Sequence, residues 1–415
     1  MKINFSFDYS MDLPDCNHAT IVCAFTQLLP MILGDLFQCV LVRFADEVMK
    51  ASVKPFCCSG CGNDRNFSWK THHGKPTSLR TIFALLTIRQ LQVKCRCCDR
   101  KMFITRKLLG LEARVTTPPQ TRKRLALLGS LTTFRVAEKI TGMFGLKLCR
   151  MSIWRSVQRE AEALEFGLDP GEKAEGEADG TGIPIKGIKK RGRELKVFIQ
   201  KRIEGGCRIA GLAIGRYESD WDKLFKPILP DFSVFKEFLL VTDGDTSILK
   251  GLGDKVKVIV QRCLWHIPHQ LKYCLWQDEV KHKSEAWKKV LTDAILVCTL
   301  PRPPDEEALI SNIIEDKRKA LNRLIEHCRK NGYDRCATYL TNAASDMFNA
   351  FEKKLHGKTT SLAERVMRIV NFRINVGKWT ERGALNVNKI RLAHYYNGYD
   401  ANKHNKKEVI VKRTE

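Results

Sequence analysis

The sequence predicts a multidomain protein in which two small modules precede a larger α/β domain that carries a helical insertion. Two Cys-x-x-Cys pairs lie near the N-terminus, and a polar segment with Pro and Gly, residues 166–176, divides the chain. After that segment the periodicity changes from that of helices to that of strands. A length of 415 residues gives room for two to four domains.

The chain is strongly basic. It has 71 Lys and Arg residues against 46 Asp and Glu residues, which gives a formal net charge of +25 at pH 7. Such a balance favours polyanionic partners through counterion release. Nucleic acid is therefore the first expected partner, and an anionic membrane the second.

Residues 1–50 predict a helical segment, with Ala19–Lys50 apolar enough to be partly buried. The uncharged stretch Thr20–Gly34 contains Pro30 and ends before Asp35, so we predict that it is too short to span a membrane. The acidic residues before it are unlike the basic start of a signal peptide. We expect a cytoplasmic protein without a membrane partner, in which the cysteines are reduced.

Two Cys-x-x-Cys pairs define residues 51–110 as a module. The pairs, which are separated by 33 residues, are Cys58 with Cys61 and Cys95 with Cys98. Strands predicted at Leu86–Lys94 and Lys101–Thr105 would place them on hairpins, and four thiolates are the ligand set of one structural zinc ion. Cys57 and Cys97 leave the register open by one residue. The alternative is a cluster of cysteines without a metal, but the paired spacing favours a zinc ribbon.

Residues 115–165 predict three helices that match a helix-turn-helix. The second helix, Phe134–Phe144, is followed by Gly145 in a short turn and by the third helix, Arg150–Leu164. Three-helix segments are common in proteins that do not bind DNA, but the neighbouring ribbon and the net charge favour DNA binding. The candidate DNA contacts share the third helix and are Arg150, Ser152, Arg155 and Gln158.

Residues 174–270 predict the first part of an α/β domain. Its apolar segments predict strands at Glu177–Ile185, Leu195–Ile203, Arg208–Arg216, Phe238–Thr242 and Val256–Val260. Three successive strands followed by strands that alternate with helices suggest a mixed sheet of the ribonuclease H kind. We predict an all-helical insertion at residues 271–354 and the final helices of the domain at residues 355–400. Residues 401–415 form a basic tail in this prediction.

Three acidic residues are candidates for a divalent-cation site. Asp179 lies in the first predicted strand, and Asp243 directly follows Phe238–Thr242. Each is followed by Gly, a pair that alone is typical of a turn. On neighbouring strands, however, the two carboxylates would converge, and paired carboxylates suit divalent cations. Glu364 begins a late helix, where the alternative is a capping box with Ser361.

The order of these motifs along the chain, from the cysteine pairs through the helix-turn-helix to the acidic residues, resembles that of the DDE transposases of bacterial insertion sequences, in the mutator-like group. The resemblance covers about residues 55–400. Its more specific parts are Val241–Gly244, which is followed about twenty residues later by a Cys-x-x-His motif, and the Ser-Leu-x-Glu-Arg sequence of residues 361–365.

The resemblance implies a ribonuclease H-like core in which Asp179, Asp243 and Glu364 bind two Mg²⁺ ions. Asp245 competes with Asp243, which follows the strand more directly. The resemblance gives Cys263 and His266 a supporting position near the site, and we do not assign them a zinc ion because two residues alone do not complete a zinc site. The basic residues of the last helices would contact DNA phosphates: Arg365, Arg368 and Arg373.

The implied activity is Mg²⁺-dependent DNA cleavage and strand transfer. The implied partner is double-stranded DNA, both the terminal inverted repeats of the element and the target, bound by a homo-oligomer on paired ends. The implied location is the bacterial cytoplasm, at the nucleoid when DNA is bound. The main alternative is a zinc-containing DNA-binding regulator without catalysis, such as a domesticated or decayed transposase. An RNA-processing nuclease with the same core is the third possibility.

Overall fold

The computed structural model describes residues 9–10, 18–72, 74–81, 84–111, 116–143, 146, 148–188, 192–253, 256–355 and 359–401. The chain divides into two compact units. One holds the described residues up to Ala161 together with Asp400 and Ala401, and the other spans Glu162–Tyr399. Gly145 of the predicted turn and all of the predicted basic tail after Ala401 lie outside the described residues.

The first unit begins with a long helix and two small sheets. Its elements are α1 (His18–Lys50), β1 (Phe67–Thr71), β2 (Pro76–Arg80), β3 (Leu85–Arg89), β4 (Gln92–Cys95), β5 (Lys101–Phe103) and α2 (Thr105–Leu108). Strands β1, β4 and β5 form one antiparallel sheet, and β2 pairs with β3. The single strand predicted at Leu86–Lys94 is therefore wrong. The chain leaves the β3 ladder, and the Leu91 amide donates to Thr105 Oγ1 at 2.7 Å.

Helix α1 corrects the prediction made from its apolar stretch. It continues through Pro30 and Asp35 for 33 residues, because a proline can kink a helix without ending it and a charged residue does not end one. Among the described residues, Ala19–Lys50 is the one helix long and apolar enough to cross a membrane. Core helices meet the same criterion. Leu41 and Ala45 are buried in the core of the small sheets, so the second half of α1 is part of this module.

Three further helices complete the first unit: α3 (Pro119–Leu131), α4 (Phe134–Met143) and α5 (Arg150–Glu162). Their shared core includes Leu125, Ala137 and Ile153. At Gly129 of α3, an added Cβ would lie 2.8 Å from Ile153 Cγ2. Helices α3 and α5 therefore approach closely where a side chain is absent.

The second unit is built on a five-stranded mixed sheet. Its first elements are β6 (Glu175–Gly182), β7 (Glu194–Lys201), β8 (Cys207–Gly215), α6 (Asp222–Phe225), a 3₁₀ helix (Leu229–Val234), β9 (Phe238–Thr242), α7 (Thr246–Leu252) and β10 (Val258–Arg262). The strand order is β10-β9-β6-β7-β8. Strand β7 is antiparallel to both β6 and β8, whereas β9 is parallel to β6 and β10 is parallel to β9. The predicted mixed sheet is confirmed.

A helical block follows the sheet and has a core of its own. Its helices are α8 (His266–Gln277), α9 (Glu285–Cys298), α10 (Glu307–Lys330), α11 (Asp334–Ala343) and α12 (Asn349–Glu352). Leu271, Val290 and Leu324 are among its buried residues. The chain then returns to the sheet, where α13 (Ser361–Ile374) packs on β6 and β7, and α14 (Glu381–Tyr396) packs on β8.

Candidate functional site

Four cysteines form a cluster with the geometry of a metal site. The sulfur atoms of Cys58, Cys61, Cys95 and Cys98 all lie within 4.8 Å of one another. Two of the contacts are 3.5 Å, between Cys58 and Cys98, and 3.6 Å, between Cys61 and Cys95. Cys57 and Cys97 are exposed outside the cluster, so the register is the one predicted. Because four thiolates suit a tetrahedral zinc ion, the cluster can bind zinc.

Backbone amides donate hydrogen bonds to the sulfur atoms of the cluster and lower the pKa of two of its thiols. Burial raises the pKa of the Cys95 thiol, but hydrogen bonds from the amides of Cys97 and Cys98 outweigh burial and lower that pKa to about 6. Amides of Cys61 and Gly60 lower the pKa of the Cys58 thiol. Thiolates are the metal-binding form of cysteine, so these amides favour metal binding.

The two candidate aspartates are carried by adjacent strands: Asp179 lies within β6, and Asp243 directly follows β9. Strand β6 pairs with β9 in parallel, with Glu177 opposite Val241. The same register continued by two residues sets Asp179 opposite Asp243. The Gly180 amide donates to Asp179 Oδ1 at 2.7 Å, and the Asp245 amide donates to Asp243 Oδ1 at 3.0 Å. Two carboxylates thus meet at one edge of the sheet.

Gly180 belongs to strand β6 rather than to a turn. An added Cβ on Gly180 would lie 2.2 Å from Glu194 Oε1, so the missing side chain admits the Glu194 carboxylate. Glu194 Oε2 lies 2.5 Å from the Nζ of Lys196, which is fully buried and stands 4.3 Å from the centre of the Trp221 ring. This buried ion pair, which the sequence analysis missed, supports the sheet beside the aspartates.

Asp245 has a structural role. Its side chain accepts the Ser247 amide at 2.8 Å at the start of α7, and Trp221 Nε1 donates to it at 3.2 Å. Each carboxylate oxygen of Asp245 therefore already accepts a hydrogen bond. Asp243 is therefore the better candidate of the two aspartates.

Glu364 does not form the capping box that its sequence also suggested. The amides of Leu362 and Ala363 at the start of α13 instead donate to Glu177 Oε2, at 3.1 and 2.8 Å. Glu177 is buried on β6, two residues before Asp179, and Lys201 Nζ lies 3.4 Å from its other oxygen. A strand carboxylate thus performs the capping, which leaves the side chain of Glu364 available for another contact.

That contact is with the Cys-x-x-His motif. His266 Nε2 lies 3.2 Å from Glu364 Oε1. On its other side, His266 Nδ1 lies 3.4 Å from Thr360 Oγ1, and Cys263 Sγ accepts the Thr360 amide at 3.2 Å. The two motif residues therefore contact the start of α13, and His266 contacts Glu364.

The acidic residues influence one another electrostatically. Burial and the nearby Asp243 and Glu364 raise the pKa of Asp179 to about 7, against the smaller opposing effect of His266. Burial lowers the pKa of His266, but Cys263 and the two aspartates outweigh burial and raise it to about 9. The carboxylates are close enough to repel, although within the described residues only the cysteine cluster has all its ligand atoms within 4.8 Å of one another.

The raised pKa of Asp179 predicts a pH-dependent stability. Its ordinary value is 3.8, so its neutral form stabilises the fold below that pH, and this contribution is lost as the pH rises through about 7. Without added divalent metal, we expect Asp179→Asn to raise Tm more at pH 8 than at pH 5, because the contribution is lost progressively between pH 3.8 and about 7. The difference should be on the order of a few kcal/mol. Thermal unfolding across this range tests it, and a pH-independent difference would contradict it.

A groove runs along α13 beside Glu364. Its volume is about 690 Å³, and its lining includes Trp265, Arg365, Arg368 and Phe372. Arg365 and Arg368 are exposed, as a phosphate contact requires.

A phosphate contact requires an exposed side chain, so Arg373 is excluded from the predicted DNA contacts. It is 4% exposed, its guanidinium stands 4.6 Å from the centre of the Trp379 ring, and burial lowers its pKa to about 10. Arg373 is a core residue because it lies on the face of α13 that packs inward.

The four predicted DNA contacts of the helix-turn-helix also differ in exposure. Arg150 and Arg155 are exposed on α5, and Ser152 is half-buried. Gln158 is 6% exposed and faces inward, so it is not on the surface that DNA could contact. With 3.6 residues per turn, position 158 lies on the packed face of the helix, together with Val157 and Ala161.

Comparison of the chain with protein-family models gives no match. No curated protein shows significant similarity to it.

Proposed function

We propose that the protein is a DDE transposase that binds the terminal inverted repeats of its own insertion sequence and catalyses Mg²⁺-dependent DNA cleavage and strand transfer. The observation that carries the proposal is the proximity of three carboxylates: β6 and β9 pair in parallel just before Asp179 and Asp243, and the charges of Asp243 and Glu364 both raise the pKa of Asp179. The strand order β8-β7-β6-β9-β10, with β9 and β10 parallel to β6, is that expected of a ribonuclease H-like core. It supports the proposal because such a core sets its acidic residues on the first and fourth strands.

The donor set fits hard divalent cations. Asp179, Asp243 and Glu364 offer carboxylate oxygens, which Mg²⁺ prefers, and their mutual repulsion favours a bound cation. Two bound Mg²⁺ ions would activate the attacking oxygen and stabilise the leaving oxygen at phosphorus. The protein's own contribution is positional. His266 orients Glu364, and Glu177 fixes the start of the helix that carries it.

The remaining modules supply DNA recognition in this proposal. The zinc ribbon and the exposed arginines of α5 would bind the inverted repeats, and Arg365 and Arg368 would contact phosphates near the acidic site. A net charge of +25 supports such a polyanionic partner. The protein would act as a homo-oligomer on paired ends, in the bacterial cytoplasm at the nucleoid.

The test uses the purified full chain and DNA that carries the short inverted repeats bracketing its reading frame. With Mg²⁺ we expect cleavage at the ends of the repeats and joined products with target DNA, and without Mg²⁺ binding alone. Binding without cleavage under all metal conditions would contradict the proposal and favour the non-catalytic regulator. Cleavage of structured RNA in preference to DNA would favour the RNA-processing nuclease.

A further inference from the structure

Helix α8 carries an exposed aromatic stripe that none of the roles above uses. The stripe consists of Trp265, His269, Lys272, Tyr273 and Trp276, which recur at spacings of three, four and one. On a helix of 3.6 residues per turn these positions, which begin at the N-cap Trp265, lie within about 100° of one another. The aromatic members are well exposed: Trp265 by 52%, Tyr273 by 66% and Trp276 by 73%. Exposed aromatic residues that share one face of a helix mark an interaction site, whereas singly scattered ones do not.

The stripe is a rigid surface. The opposite face of α8 is buried through Ile267, Leu271 and Leu275, which belong to the core of the helical block. The rings of Trp265 and His269 lie against each other with their centres 4.1 Å apart. The aromatic rings are thus mounted on a fixed helix and need little ordering when they bind.

The stripe begins at the acidic site and leads away from it. His266, next to Trp265, contacts Glu364 at 3.2 Å. From Trp265 to Trp276 the helix rises about 16 Å, which equals the length of roughly five stacked nucleotides. Grooves adjoin both ends, one lined by Trp265 and Arg368 and the other by Trp276 and Lys281.

The chemistry of the stripe selects its ligand. Aromatic rings stack on the faces of bases, and those faces are covered inside a duplex but open in a single strand. Lys272 within the stripe, and Lys281 and Arg335 in the groove at its far end, offer cations to phosphates. Two acidic residues lie at this end: Asp278 accepts the amides of Arg335 and Cys336, and Glu279 lines the groove together with Lys281 and Arg335. Aromatic rings with interleaved cations are the combination that binds single-stranded nucleic acid.

We propose that the aromatic stripe of α8 binds the unpaired bases of a DNA strand that leaves the acidic site. The inference rests on the proposed function, because it takes the acidic site to act on DNA. Its consequence is that the protein binds a DNA end with a single-stranded tail more tightly than a blunt end of equal charge.

The test measures binding to fluorescent DNA by anisotropy, without added Mg²⁺ so that no cleavage occurs. A duplex with a five-nucleotide thymidine tail is compared with a blunt duplex that has the same number of phosphates. We expect Trp276→Ala to weaken binding of the tailed DNA about 5- to 100-fold and to leave blunt binding unchanged. Trp276→Phe keeps a ring and should remain near wild type. Tyr217→Ala, an exposed aromatic residue outside the stripe, is the matched control.

The outcomes separate the stripe from the proposed function. If Trp276→Ala binds tailed DNA as tightly as wild type, the stripe proposal is overturned, even if the wild type cleaves DNA with Mg²⁺. The exposed face of α8 would then be assigned to a protein partner. Conversely, stripe-dependent tail binding by a protein that never cleaves DNA would overturn the transposase proposal alone. Trp276 is exposed, so the variants should keep the Tm of the wild type, and thermal unfolding verifies this.

Discussion

Glu364→Gln is expected to lower DNA cleavage roughly 10³-fold or more, the scale on which removal of one member of a catalytic set acts. The substitution keeps the shape of the side chain and removes the charge that would hold a cation beside Asp179 and Asp243. DNA binding should stay near wild type, because the exposed Arg365 and Arg368 on the same helix are unchanged.

The same variant tests the capping alternative for Glu364. The amides at the start of α13 bond to Glu177, so Glu364→Gln should leave Tm nearly unchanged. Glu177→Gln is the informative comparison: although burial raises the pKa of Glu177, the change weakens its hydrogen bonds to two amides and removes its ion pair with Lys201, which should lower stability by about 1–3 kcal/mol. Glu315→Gln, on an exposed face of α10, is the control for loss of charge alone. Full cleavage by Glu364→Gln, or a drop in Tm as large as that of Glu177→Gln, would contradict the assignment.

The sequence predicted the sheet best where local and long-range signals agree. Phe238–Thr242 is fully buried and ends on a polar Asp-Gly turn, and its predicted bounds are those observed. At Gly244, which follows, φ is +104° and an added Cβ would meet the Arg262 guanidinium, so the turn requires glycine. The second Asp-Gly pair looks the same in sequence but lies in strand β6, where Gly180 is required by the approach of Glu194.

Contacts between elements were not predictable from residue types. Glu177 and Glu364 are both acidic residues next to apolar ones, and only the packing of α13 on β6 decides which of them caps the helix. In the same way, Arg373 and Gln158 have polar side chains that a helical pattern cannot assign to an inner or outer face without knowledge of what packs there. Burial of a polar residue depends on which side chains pack against it, as Trp379 does against Arg373.

The cysteine cluster gives the prediction with the largest effect on stability. Four sulfur atoms within 4.8 Å of one another repel as thiolates when no cation is bound: backbone amides lower the pKa of Cys58 and Cys95, whereas the neighbouring thiols raise the pKa of Cys98 to about 12 and that of Cys61 above its usual value. Zinc binding at such sites contributes about 10–16 kcal/mol, more than a small module gains from its core. We therefore expect about one zinc ion per chain, and we expect its removal to unfold the small sheets β1 to β5.

The experiment compares two double variants, one that changes two cysteines of the cluster and one that changes two exposed cysteines beside it. Cys58→Ser with Cys61→Ser should lose the zinc, and hydrogen exchange should show lost amide protection in β1, β4 and β5. Cys57→Ser with Cys97→Ser changes two exposed neighbours outside the cluster and should keep both zinc and protection. The mixed sheet of the second unit has a separate core and should keep its protection in both variants. Protected sheets without zinc, or zinc retained after loss of Cys58 and Cys61, would show that the thiol cluster is not what folds this module.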